Sequence, residues 1–225
     1  MKIAELFYSV QGEGALVGVP SAFIRTSGCN LRCVWCDTPY TSWRPEGEEF
    51  SLDEIMARVR SWPAKHVVVT GGEPMIAPEI VPLTERLKEA GLHVTVETAG
   101  TVFKPVACGL MSISPKLANS TPRQDPVWAG QHERLRINRE ALCRLTSEYE
   151  YQLKFVVAAP SDVEEIGALV AELPARRERV ILMPEGTDSE TLRERGRWLA
   201  EICKAEGFRL GLRVHIDLYG NRRGV

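Results

Sequence analysis

The chain has 225 residues, enough for one sizeable hydrophobic core and too few to demand two ordinary domains, so residues 1–225 are expected to form a single unit. Its 44% hydrophobic and 26% charged residues exclude a disordered chain, and 28 basic against 30 acidic side chains leave a net charge of −2, no electrostatic reason to expect nucleic acid or a membrane surface as partner. No apolar run approaches the roughly 20 residues of a membrane span, and the start Met1-Lys2-Ile3-Ala4-Glu5 lacks a signal-peptide core, so the expected location is the cytoplasm.

In chain order, apolar runs of strand length alternate with helical patterns. The first expected strand, Ala22–Arg25, is followed by Cys29, Cys33 and Cys36. A capping box, Ser51-x-x-Glu54, opens a helix with Ile55, Val59 and Trp62 at helical spacing. The strand His66–Thr70 runs into Gly71-Gly72-Glu73-Pro74, and Pro78, Pro82 and Gly91 frame the next helix. His93–Val96 leads to Glu97-Thr98, and Leu110–Ser114 leads to Pro115-Lys116. Residues 117–150 are less regular: Pro122 and Pro126 break the first part, Glu133–Leu145 suits a helix, and the stretch reads as an insertion of the kind that covers a site. Leu153–Val157 carries Lys154 within a strand, and Val180–Met183 leads to Pro184-Glu185-Gly186. Capping boxes at Ser161-x-x-Glu164 and Thr187-x-x-Glu190 open further helices, and Leu212–Ile216 is the last expected strand.

This alternation predicts an α/β fold with right-handed crossovers and a parallel sheet buried on both faces. The unusual residues follow the strands, and in such folds strand C-termini share one face. Six segments far apart in sequence are therefore expected to meet on one rim.

The spacing C-x3-C-x2-C presents three thiolates in one loop, soft ligands suited to iron–sulfur clusters and to zinc. Structural zinc wants four ligands, which His66 or His215 would have to complete in space. A four-iron cluster held by three thiolates keeps one iron open to a cofactor. The scattered Cys108, Cys143 and Cys203 read as core residues. Gly71-Gly72 lets a ligand approach the backbone and Glu73 suits an ammonium, although a plain strand-to-helix turn has the same composition. Glu97 and Lys116 stand out only by placement, and Asp37-Thr38 equally suits a turn or helix cap.

Cys29-x-x-x-Cys33-x-Trp35-Cys36 together with Gly71-Gly72-Glu73-Pro74 resembles the two motifs of the radical S-adenosylmethionine (SAM) superfamily. A finer resemblance, to the 7-carboxy-7-deazaguanine synthase family, rests on Phe7–Gly14, Arg25, Cys36-Asp37-Thr38, Thr70–Pro74, Glu97-Thr98, Ser114-Pro115-Lys116, Lys154 and the tail Tyr219–Val225. The resemblance implies a partial, open β/α barrel of about six strands. It also implies conversion of 6-carboxy-5,6,7,8-tetrahydropterin to 7-carboxy-7-deazaguanine with loss of ammonia, in queuosine and deazapurine biosynthesis.

On the same resemblance, Cys29, Cys33 and Cys36 hold a [4Fe–4S] cluster whose open iron chelates SAM, and an electron cleaves SAM to a radical that takes hydrogen from the pterin. Gly72, Glu73, Glu97, Ser114, Pro115, Lys116 and Lys154 orient SAM, with Met183–Gly186 in the same pocket, where this sequence departs from the residues usual in the family. Val10, Gln11, Gly12, Arg25, Thr70 and the carboxylate of Val225 hold the substrate, and Thr38 sits by Mg²⁺. No catalytic residue is implied beyond the cluster and SAM. An external electron donor and a homodimer are further implications. A glycyl-radical-enzyme activase shares the cysteine motif, and a non-catalytic zinc or iron–sulfur module is a third reading; Gln11–Gly14 and the tail favour the small substrate.

Overall fold

The computed structural model describes all 225 residues. One nine-stranded sheet runs through it in the order β3-β1-β2-β4-β5-β6-β7-β8-β9. The parallel strands are β2 (Pro20–Thr26), β4 (His66–Gly71), β5 (His93–Thr98), β6 (Leu110–Ile113), β7 (Tyr151–Val157), β8 (Val180–Pro184) and a short β9 (Arg209–Leu210). Antiparallel β1 (Lys2–Val10) and two-residue β3 (Glu48–Glu49) extend one edge. The sheet does not close, so six full parallel strands stand as expected, with edges added on both sides.

Helices α2 (Leu52–Arg60), α3 (Ile80–Glu89), α5 (Arg139–Glu148), α6 (Asp162–Glu172) and α7 (Ser189–Glu206) follow the strands as crossovers, while α1 (Pro39–Ser42), α4 (Pro126–Leu135) and α8 (Val214–Tyr219) belong to the loops around the rim. The strands look continuously apolar because both faces are buried, yet their two faces differ. Val67, Val69, Val94, Val96, Met111, Ile113, Leu153, Phe155, Val180 and Leu182 join one core of 34 residues under the helices. The alternate residues Thr70, Glu97, Ser112, Lys154 and Met183 face the concave side, as the two-residue period of a strand requires. A buried sheet thus presents polar groups to one cavity.

Several local expectations are corrected. The strand expected at Leu212–Ile216 is instead a two-residue loop, Leu212-Arg213, and the first turn of α8. Gly211 N donates to Leu182 O at 2.8 Å so closely that a Cβ there would lie 2.6 Å from the side chains of Ile181 and Met183, and pairing ends at that contact. The long N-terminal strand β1 is not among the expected strands, although Ile3, Phe7, Tyr8 and Val10 favour β structure. The helix expected over Glu133–Leu145 is two, because Asn138 turns the chain: its Oδ1 accepts from Ala141 N while its Nδ2 donates to Thr101 O. Pro126 opens α4 at its first position instead of breaking structure. The Ser51 box forms in full, but α7 is capped by Asp188, one residue beyond Thr187, and Ser161 makes no capping bond. Asp162 Oδ2 instead accepts from Ala158 N and Ala159 N, which braces the turn before α6 and leaves the helix without a side-chain cap. Cys203 is buried in the core, with Cys108 and Cys143 packed against it.

Candidate active site

At the C-terminal rim of the parallel strands lies a cavity of about 450 Å³. The cysteine loop, Gly71-Gly72, Glu97–Ala99, Ser114, Lys116, Lys154 and Met183–Thr187 all line it, so the expected convergence is met. No residue between 117 and 150 reaches it, which overturns the expectation that this stretch covers the site. It packs behind the cysteine loop instead.

All three loop cysteines are free and face the cavity. Cys29 Sγ accepts from Leu31 N at 3.4 Å, and Cys36 Sγ lies 3.3 Å from Ser42 Oγ. Burial pushes the Cys29 and Cys33 thiols up to about 12, so a metal that binds them must displace their protons. No three His, Cys, Asp or Glu side chains gather as for a single ion, and His66 lies against His93 with tilted rings, centroids 4.8 Å apart, at the N-terminal ends of β4 and β5 and away from the cavity. Three soft donors spread around one wall fit a multi-iron cluster, in which each thiolate holds its own iron. The loop is fixed from outside: Trp43 Nε1 donates to Cys33 O at 3.0 Å, and Trp35 Nε1 to Asn119 Oδ1 at 3.2 Å. His132, whose imidazole burial holds down at about 4, accepts from Arg32 N at 3.1 Å.

Gly72 sits where chain segments converge. A Cβ there would lie 2.1 Å from Gly28 O and 2.7 Å from Thr41 O, both rigid backbone atoms. Gly72→Ala is therefore expected to lower stability by about 3 kcal/mol, a fall in melting temperature of roughly 6–12 °C measurable on the metal-free protein; an unchanged melting temperature would contradict this packing. Glu73 lies just behind the cavity wall: its carboxylate is fully buried, accepting from Thr98 Oγ1 at 2.7 Å, Ala99 N at 2.8 Å and Met75 N at 3.1 Å. Burial pushes its pKa up, against those bonds. It ties the glycine turn to the end of β5, leaving backbone of Gly71 and Gly72 to meet a ligand. Pro115 also lies off the cavity, while Lys116 Nζ donates to Ser114 Oγ at 2.7 Å.

The cavity floor is a buried charge network. Lys154 Nζ lies 2.9 Å from Glu13 Oε2 and 3.4 Å from Glu97 Oε1. Gln11 Nε2 and Thr70 Oγ1 donate to Glu97 at 3.2 and 2.9 Å. Burial alone would lower the lysine, but Glu97 and Glu13 outweigh it and hold the ammonium charged. Glu13 is held well below the usual carboxylate range although burial opposes this, through Lys154, Arg213 and His215. Arg213 reaches Glu13 Oε1 at 2.9 Å and Gly186 O at 2.6 Å, and pairs with Asp37. Residues assigned by resemblance to SAM (Glu97, Lys154) and to substrate (Gln11, Thr70) thus share one network.

Val10, Gly12, Arg25 and Thr38 also line the cavity, as does Val225 at the end of the tail. Arg25 pairs with Glu5 at 2.6 Å, and Phe7 stacks on Phe23 beside it with ring centroids 4.7 Å apart. Arg223 lies 3.5 Å above the Tyr40 ring and 2.8 Å from Glu46, which holds the tail against the rim. In the sequence, Glu13 and Asp37 stand out only as parts of motifs and His215 only as a possible zinc ligand, while Arg213 has no role there. The one available signal was Arg213-x-His215, two ionisable residues inside a supposedly apolar strand.

A parallel rim carrying a three-cysteine loop opposite a double-glycine turn defines a radical SAM enzyme, and the Radical SAM superfamily model matches residues 23–114. Its cofactors are a [4Fe–4S] cluster and SAM. The chain is 45% identical to the 7-carboxy-7-deazaguanine synthase of Halobacterium salinarum, over 98% of this chain and 91% of that one, and 45% identical to that of Rhodopirellula baltica, over 99% and 88%. It also resembles the crystal structure of QueE from Escherichia coli at a TM-score of 0.68 and 29% identity, covering 93% of this chain and 92% of the other. The chain belongs to the 7-carboxy-7-deazaguanine synthase family, and these relatives favour that reading over the activase and the binding module.

Proposed function

We propose that the chain, as one unit spanning 1–225, converts 6-carboxy-5,6,7,8-tetrahydropterin to 7-carboxy-7-deazaguanine with release of ammonia. The observation that carries this reading is the junction of the cysteine loop, the glycine turn and the Gln11–Glu97–Lys154 network in one cavity. Cys29, Cys33 and Cys36 would hold the cluster, and Gly72, Ser114, Lys116, Glu97 and Lys154 would orient SAM. When bound, these cofactors supply an electron and a SAM-derived fragment that removes a hydrogen atom from the substrate. The protein's own part is to position and to exclude water.

Phe7 and Phe23 offer an apolar wall beside the guanidinium of Arg25, a combination that suits a flat heterocycle bearing oxygens or a carboxylate. Gln11, Thr70 and the backbone of Val10 and Gly12 supply further polar contacts. Thr38 would give a hydroxyl oxygen to Mg²⁺, with substrate oxygens and water completing the shell. The exposed apolar side chains Leu210 and Leu212 at the β9 edge, with Leu218 and Tyr219 on α8, support a homodimer. No helix is long and apolar enough to cross a membrane, and we place the enzyme in the cytoplasm with an external protein or chemical electron donor.

An anaerobic incubation of reconstituted protein with SAM, reductant, Mg²⁺ and the carboxy-tetrahydropterin tests this by mass spectrometry. Formation of 7-carboxy-7-deazaguanine is expected. SAM cleavage without that product would reopen the substrate. Deleting Gly224-Val225 is expected to lower turnover by about tenfold while SAM cleavage persists, because the tail ends at the cavity and the loss of one charged contact is worth about 1.4 kcal/mol. Wild-type turnover in that truncation would remove the tail from the site.

A further inference from the structure

The stretch 117–135 touches no part of the cavity, yet it grips the cysteine loop on both sides of Cys33. Arg32 N–H donates to His132 Nδ1 at 3.1 Å, and Val34 N–H donates to Ser120 O at 2.8 Å. Ser120 Oγ donates its one proton to Leu117 O at 2.6 Å and lies 2.9 Å from His132 Nε2. With that proton spent, Nε2 must be the donor toward Ser120, and Nδ1 is left as a bare acceptor. The tautomer demanded by Ser120 is the one that Arg32 N–H needs. Both Ser120 and His132 have no exposed surface, so no water substitutes for either bond.

We propose that His132 is a positioning residue of the cluster site: the relay Leu117 O–Ser120–His132–Arg32 N fixes the backbone before Cys33 and so aims its sulfur at the iron. The proposal rests on the reading of Cys33 as a cluster ligand. It gives residues 117–135 a task that their sequence did not announce, that of an outer support which makes a short loop hold a large inorganic group in one geometry.

The test uses the full chain, reconstituted anaerobically with iron and sulfide, challenged with a ferrous chelator and followed by loss of brown absorbance and of bound iron. His132→Asn keeps an oxygen where Nδ1 stood and still accepts from Arg32. His132→Gln reaches Ser120 but leaves the Arg32 N–H unpaired. Asn is expected to release iron within about twofold of wild type, and Gln about ten- to a hundredfold faster, the usual range for an outer support of a metal ligand. A residue that merely fills space would give the reverse order, since Gln is nearer His in size. Equal rates for the two, or a Gln variant at the wild-type rate, would overturn the proposal. Should neither fold, Ser120→Ala removes only a hydroxyl; iron release at the wild-type rate there would overturn it equally, and release about tenfold faster at an unchanged apo melting temperature would support it. A wild-type protein that holds no iron would instead overturn the cluster reading itself.

Discussion

Lys154→Met is expected to destabilise the protein by about 3–5 kcal/mol at neutral pH, the usual cost of removing one partner from a buried ion pair. The lysine side chain is 4% exposed and is the shared cation between Glu13 and Glu97. Methionine matches its length, so little volume is lost and the penalty is electrostatic. Glu13 keeps Arg213, whereas Glu97 keeps only Gln11 and Thr70, so the uncompensated charge falls on Glu97. The double variant Lys154→Met/Glu97→Gln should recover about 1–3 kcal/mol, which a double-mutant cycle in denaturant measures. The pH dependence has a defined sign. Because the native Glu13 carboxyl titrates well below its ordinary 4.5, its contribution is complete above that value and is lost as pH falls through the depressed native pKa. A Lys154→Met protein as stable as wild type would show that the network carries no net energy.

Cys33→Ala is expected to abolish the brown cluster absorption and all SAM cleavage while leaving the metal-free fold within about 1–2 kcal/mol of wild type. The sulfur packs between Leu31 and Ala99, and a missing thiol there leaves only a small void. Two thiolates do not replace three, since each is expected to hold a different iron. Iron and sulfide counts with an absorption spectrum decide the matter. An intact four-iron cluster in the variant would remove Cys33 from the ligand set. The contrast with His132 is quantitative: loss of a ligand removes the cluster, loss of its support hastens cluster release.

Much of the fold was legible because the strands β4, β5, β7 and β8 are rich in valine, isoleucine and leucine, are buried on both faces and are punctuated by motifs at their ends. The cavity was legible for the same reason, since parallel strands place those motifs on one rim. What was not legible arose where tertiary contacts override local pattern. Leu212–Ile216 reads as a strand from its apolar residues, but Val214 N donates to Gly12 O and Arg213 is drawn inward by Glu13 and Asp37, and the chain turns into α8 there. Glu73 reads as a ligand contact from its motif, but the motif does not show that its carboxylate also accepts from Thr98 and Ala99, far away in sequence. The support of the cysteine loop depends on bonds spanning up to 100 residues, such as that from Arg32 to His132, and no spacing rule exposes these.

The most direct test of the central claim is hydrogen transfer itself. The carboxy-tetrahydropterin carrying deuterium on its saturated ring carbons would be turned over anaerobically with SAM, and the recovered 5′-deoxyadenosine weighed by mass spectrometry. Deuterium appearing in 5′-deoxyadenosine together with 7-carboxy-7-deazaguanine is the expected result, since the cavity brings the cluster loop and the polar network to one place. Unlabelled 5′-deoxyadenosine, formed at the same rate with or without the pterin, would contradict it.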